Sequence, residues 1–75
     1  MRYNYKILLT KEDEGGYMVN VPALAGCITQ GDNIEEALTM AQGAIELYIE
    51  ELQSRGEMIP DNTNTLEYTL NLETA

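Results

Sequence analysis

Cys27, Ser54 and several groups of carboxylates are the side chains that could do chemistry in this sequence, which contains no histidine. Histidine is the commonest general base near neutral pH and the commonest metal ligand, so its absence removes the usual partner of a nucleophile. Ser54, the only serine, falls near the end of a predicted helix with no assignable base, and a serine or cysteine triad has no support. Cys27 begins a predicted strand in an acidic chain, whereas a reactive thiol needs electropositive surroundings, so it reads as a buried structural cysteine. Being single, it forms no internal disulfide, which suits a reducing, cytoplasmic setting.

The carboxylates divide by context. Glu12, Asp13 and Glu14 cluster in a turn, and their oxygens suit Mg²⁺ or Ca²⁺ in kind. The alternating ligands and closing glutamate of a calcium loop are missing, however, and a solvated acidic turn accounts for them more simply. A metal-dependent nuclease would draw on Asp13 or Asp32. Yet Asp32 followed three residues later by Glu35 reads first as the two halves of a helix capping box. Glu46 and Glu50 fall on the exposed side of the predicted helix, where an i,i+4 pair of like charge costs a few tenths of a kcal/mol. That cost is ordinary on a surface, and it also fits a face that meets cations. Gly15-Gly16 opens a strand rather than a helix, so it forms no phosphate-binding loop. Catalysis is not expected, and neither a cofactor nor a metal is called for.

Net charge points the same way. The 75 residues include 13 acidic and 4 basic side chains, a formal charge of -9. Arg2, Lys6, Lys11 and Arg55 are too few to displace counterions from phosphates, so direct binding of nucleic acid is not expected. No stretch approaches the ~20 apolar residues of a membrane span, and the opening residues form no secretory leader. At this length the chain makes a single domain, residues 1–75, with a small core. Such a core gains from association, and an acidic surface favours a basic protein partner.

The elements that would position these residues follow from periodicity. Residues 2–10 alternate, with Tyr3, Tyr5, Ile7 and Leu9 on one face, and Tyr17, Val19 and Val21 alternate after the Gly15-Gly16 turn, predicting a hairpin. Pro22 ends that ladder, residues 22–26 form a corner, and Cys27 to Gln30 make a short third strand. Gly31 breaks it, and the period then becomes helical. Ile34, Ala37, Leu38, Ala41, Ile45, Tyr48 and Leu52 fall within about 100° on a helical wheel. Gly56 is placed to cap this helix, with Arg55 in its last turn. Beside that stripe Met40, Ala44 and Leu47, with the small Gly43, form a second apolar strip suited to self-association; Leu8 and Met18 add apolar surface on the open side of the sheet. Leu66, Tyr68, Leu70 and Leu72 alternate with polar residues and predict a fourth strand. The expected fold is α+β, a two-layer βββαβ sandwich with one long helix on one face. A right-handed crossover would set the fourth strand beside and parallel to the first, giving sheet order 3-2-1-4.

The run from Gly15 to Leu38 resembles the N-terminal domain of HicB-family antitoxins. It carries the Gly-Gly-Tyr turn at residues 15–17, a Val-Pro-x-Leu-x-Gly-Cys corner at 21–27, and Gly31-Asp32-Asn33-Ile34-Glu35-Glu36-Ala37-Leu38 opening the helix. Gly26, Cys27, Gly31, Asp32 and Glu35 are the structural positions of that motif. Ala25, Asn33 and Met58 stand where the family more often has proline, threonine and proline. The resemblance implies a degenerate ribonuclease-H-like fold without catalysis. It also implies a partner, a small basic HicA-type RNA-cleaving toxin whose active surface the antitoxin covers. Under this reading Glu12, Asp13, Glu14, Glu46 and Glu50 contact the toxin. The sequence given stops at Ala75, after the last predicted strand, so no separate DNA-binding domain is expected. The alternative is an oligomeric binding module without a toxin.

Overall fold

The computed structural model describes residues 2–74. Its elements are β1 (Leu8–Lys11), β2 (Tyr17–Asn20), β3 (Ile28–Gly31) and α1 (Ile34–Ser54). The strands form one antiparallel sheet in the order β1-β2-β3. Its register sets Leu9 opposite Val19 and Val19 opposite Thr29. The β1–β2 turn is closed by Glu12 and Gly16, and Gly15 and Gly16 both take positive φ, as the twin glycines predict. The corner between β2 and β3 folds on itself through Leu24 N–H to Val21 O and Cys27 N–H to Leu24 O. This drives Val21, Leu24 and Cys27 into the interior.

One helix covers one face, and the seat is unusually close. A β-carbon on Gly31 would overlap the backbone nitrogen of Ala37 and stand 2.6 Å from its Cα. Only glycine lets the end of β3 meet the first turn of α1. Val19, Ala37 and Ala41 then form one buried cluster with Ile7 and Tyr17 against it. Val21, Leu24 and Cys27 form another beneath Ala44, Ile45 and Tyr48. The helix packs on β3 and β2 and makes no contact with β1. Leu9, which faces the helix layer, is therefore left 37% exposed, and the predicted core residues Ile34 and Leu38 are 49% and 45% exposed.

The helix ends correct the sequence reading by one residue at the start, and at the finish they bear out Gly56 but move Arg55 from the last turn to the cap. Asn33, not Asp32, is the N-cap: its Oδ1 accepts from Glu36 N–H at 2.8 Å. Glu36, not Glu35, reaches back to accept from Asp32 N–H at 3.1 Å. The reason is the Gly31–Ala37 contact, which sets where the helix can begin. At the far end Gly56 takes positive φ, with Gly56 N–H bonded to Gln53 O and Glu57 N–H to Leu52 O. Arg55 is the C-cap rather than a last-turn residue, and its guanidinium lies 2.9 Å from Glu57 and 3.8 Å from Glu51.

Two strand expectations are also corrected. The first strand is only four residues long, because residues 2–7 lie outside any ladder. Among the described residues the fourth strand does not form: residues 66–74 join no ladder, and the sheet has three strands rather than the order 3-2-1-4. The approach to it is intercepted. Tyr5 donates its hydroxyl to Pro60 O at 2.6 Å, Asn62 N–H bonds Asn4 O at 2.8 Å, and Lys6 N–H bonds Asn62 Oδ1 at 2.7 Å. A turn closed by Thr65 N–H to Asn62 O then carries the chain away from β1.

Gly31→Ala should destabilise the fold by about 1–3 kcal/mol through overpacking. Gly43→Ala, with nothing within 4 Å of the added carbon, should stabilise it by about 1 kcal/mol. Urea melts of both variants check this contrast. Within the clasp, Asp61 accepts from Thr63 N–H and Oγ1, both at 3.0 Å, and these bonds hold its carboxyl below the ordinary value. A lowered folded pKa gives stabilisation that is present above the ordinary carboxylate range and is lost as pH falls through it. Amide shifts of Asn4, Asn62 and Thr63 should therefore move together on acidification, while those of Val19 and Ala41 stay put.

Candidate binding groove and acidic turn

Along the flank of α1, small and unbranched residues leave a trough. Met40, Gly43, Ala44 and Leu47 make its floor, Thr39, Glu46 and Glu50 stand along the helix side, and Thr29 of β3 closes the other. Its volume is about 470 Å³. Gly43 creates the depression because no side chain fills it. Leu47 is 68% exposed at the rim. The surface continues over Ala44 and Leu47 toward Gly26, Cys27 and Ile28. Residues the sequence suggests for two separate purposes, the Met40/Gly43/Leu47 strip and the Glu46/Glu50 pair, thus meet in one groove. Glu46 accepts from Gln42 Nε2 at 3.0 Å, and neither it nor Glu50 forms an ion pair among the described residues.

Glu12, Asp13 and Glu14 lie elsewhere. With Gly15 and Gln30 they border a polar hollow of about 450 Å³ at the hairpin tip, which shares no lining residue with the groove. All three are exposed. No group of three or more histidine, cysteine, aspartate or glutamate side chains is arranged to hold a metal among the described residues. Ser54 is occupied locally, its hydroxyl donating to Glu51 O at 2.8 Å. Asp32 and Glu35 are exposed at the helix start and away from both hollows.

Thr29 and Thr39 are the groove residues that sequence reasoning missed. Thr39 sits on the polar side of the wheel and advertises nothing. Thr29 reaches the groove only through the β2–β3 register, which periodicity alone does not contain. The ring of Tyr48 stands over the β2–β3 corner and donates to Ala25 O at 2.8 Å, fixing the end of the groove where Gly26 turns at positive φ. Beneath it Cys27 is buried, and burial pushes its thiol pKa up.

A small acidic α+β domain with an apolar groove walled by carboxylates is what these features define. A family described as the HicB-like antitoxin of bacterial toxin-antitoxin systems matches residues 5–74. A UPF0150 protein of Thermoplasma acidophilum is 48% identical over 63 residues, spanning 83% of this chain and 91% of that protein. A second UPF0150 protein, from Synechocystis, is 50% identical over 58 residues, spanning 77% and 73% respectively. Antitoxin HicB 1 of Photorhabdus laumondii is 41% identical over 56 residues, 75% of this chain but 36% of that antitoxin. The chain belongs to the HicB-like antitoxin family. No helix among its described residues is long and apolar enough to cross a membrane.

A buried neutral thiol reacts only when the corner opens. Alkylation of Cys27 by iodoacetamide should be at least roughly tenfold slower in the native protein than in urea, and should rise with pH later than a free thiol does. Equal rates in both states would remove Cys27 from the core.

Proposed function

We propose that this protein is a non-enzymatic cytoplasmic antitoxin whose groove on α1 seats a small basic toxin of the HicA type and covers the toxin's RNA-cleaving surface. The observation that carries this reading is the groove itself. An apolar floor at Met40, Gly43 and Leu47 is walled by Glu46 and Glu50, in a chain of net charge -9. Apolar contact supplies the lasting attraction, and the carboxylates supply steering and selection for a cationic partner. The hairpin-tip carboxylates Glu12, Asp13 and Glu14 add to the same field at long range. Family membership supports a toxin partner in general; the HicA type follows from the motif resemblance.

Self-association through this same groove is disfavoured by its charge. A two-fold contact would bring the Glu46 and Glu50 pairs of both copies into one interface, and like charges oppose there. A basic partner meets no such penalty.

The test is co-expression with the basic product of an adjacent reading frame, followed by size-exclusion chromatography and an RNA-cleavage assay. The complex should form, cleavage should stop, and binding should weaken as salt rises. The pair E46K/E50K should weaken binding roughly tenfold or more, since exposed ion pairs contribute about 0.2–1 kcal/mol each and reversal adds repulsion. Gly43→Gln should weaken it too by filling the trough, while leaving the helix at least as stable. Full neutralisation by a chain carrying all three substitutions would move the contact elsewhere; no association with any basic toxin would sink the proposal.

A further inference from the structure

Among the described residues the chain carries a strand-patterned segment outside any ladder and an unpaired sheet edge. Residues 66–73 alternate strictly, and Leu66, Tyr68, Leu70 and Leu72 are each between 81% and 85% exposed. The last hydrogen bond before them is Thr65 N–H to Asn62 O, and no backbone bond from residues 66–74 occurs among the described residues. A bare row of three leucines and a tyrosine at strand spacing is a surface built to be covered.

The matching edge is that of β1, which among the described residues pairs with β2 on one side and with no strand on the other. The hairpin bond from Glu12 N–H to Gly16 O fixes the alternation, so that Leu8 and Thr10 bond toward β2 while the N–H and C=O groups of Leu9 and Lys11 face outward. Because α1 lies over β2 and β3 rather than β1, Leu9 on the inner side of this edge stays partly exposed, next to the half-buried Ile7. β3 is the other edge of the sheet, but the helix packs directly on its inner side, which β1 lacks. Charge agrees: Arg2, Lys6 and Lys11 belong to the β1 segment, and Glu67 and Glu73 to the arm.

Within one chain the two do not meet. The clasp of Pro60 and Asn62 on residues 4–6 and the turn at Asn62–Thr65 send the arm outward. The radius of gyration is 14.7 Å, against about 11 Å for a compact chain of this length, and the longest dimension is 50 Å. A second copy supplies what is missing. We propose that residues 66–73 add as a strand to the β1 edge of a second copy, reciprocally, closing a two-fold dimer in which each sheet gains its fourth strand from the partner. The exchange satisfies the outward N–H and C=O groups of Leu9 and Lys11, and lays the arm's apolar face beside Leu9 and Ile7. Because each chain is both donor and acceptor, a two-fold axis closes the assembly and leaves neither arm nor β1 edge open.

This dimer is independent of the toxin groove and responds to salt in the opposite sense. Two copies of charge -9 repel, so added salt strengthens the dimer, whereas it weakens a complex with a cationic toxin. Sedimentation of the chain should give twice 8.4 kDa at micromolar or higher concentration, increasingly so with salt. In a mixture of differently isotope-labelled chains, filtered NOEs should connect residues 66–73 of one copy to residues 7–11 of the other. Leu70→Asp should weaken dimerisation roughly a hundredfold or more by placing a charge in the apolar face, without altering the thermal unfolding of the monomer, in which Leu70 is exposed. The proposal is overturned by a chain that stays monomeric at 0.5 mM, by a dimer indifferent to Leu70→Asp, by NOEs that connect the arm to β1 of the same chain, or by an arm that orders only when toxin is added.

Discussion

Gly31 and Ala37 touch backbone to backbone, and the placement of everything else on this small domain descends from that contact. The end of β3 and the first turn of α1 are fused there, so the helix lies mainly on β3 and, to a lesser extent, on β2. Ala41, one turn further on, continues the close approach above Val19. A helix held so near one side of a three-stranded sheet leaves two consequences. On its outer flank the sheet falls away and a trough opens along Met40, Gly43 and Leu47. On the far side the helix stops short of β1, whose outer edge is unpaired among the described residues and whose Leu9 stays partly exposed. The two surfaces available for partners are thus products of one packing constraint.

A core built on alanines is thin, and the protein compensates by tying distant segments with tyrosine hydroxyls. Tyr48 bonds the corner carbonyl of Ala25, twenty-three residues away, and Tyr5 bonds Pro60 O across fifty-five residues. Each ring also packs on the cluster of Val21, Leu24 and Cys27, so one side chain contributes both apolar cover and a directional bond. Such ties fix the corner and the clasp without enlarging the core. They do nothing for the residues beyond Thr65, whose apolar face finds no place in the monomer.

Periodicity made the hairpin, the corner and the helix legible, because Gly15-Gly16, Pro22 and Gly31 punctuate runs whose period is plain. It also made the groove floor legible, since Met40, Gly43 and Leu47 lie beside the core stripe on a wheel. What it misplaced were features settled by a second segment. Asp32 and Asn33 are equally good caps in isolation, and only the fit of Gly31 under Ala37 selects Asn33 and hence Glu36. The alternation at Leu66–Leu72 predicts a strand, yet among the described residues these side chains stay exposed and join no ladder. Thr29 entered the groove through strand register, which no single stretch of sequence encodes.

The distribution of the few cations sharpens the roles of the two surfaces. Arg55 is held between Glu51 and Glu57 at the C-cap, and Arg2, Lys6 and Lys11 all belong to the segment that leads into β1 and along it. None lines the groove, so Glu46 and Glu50 keep their charge uncompensated beside an apolar floor. An uncompensated carboxylate next to apolar surface gains most from a partner that brings both a cation and a hydrophobic side chain, because desolvation is then repaid at the same contact. The β1 side, holding the cations, instead suits a strand carrying glutamates, which this chain has at Glu67 and Glu73. Charge is thus segregated in this 75-residue chain: an acidic flank on the helix and a cation-bearing segment at β1.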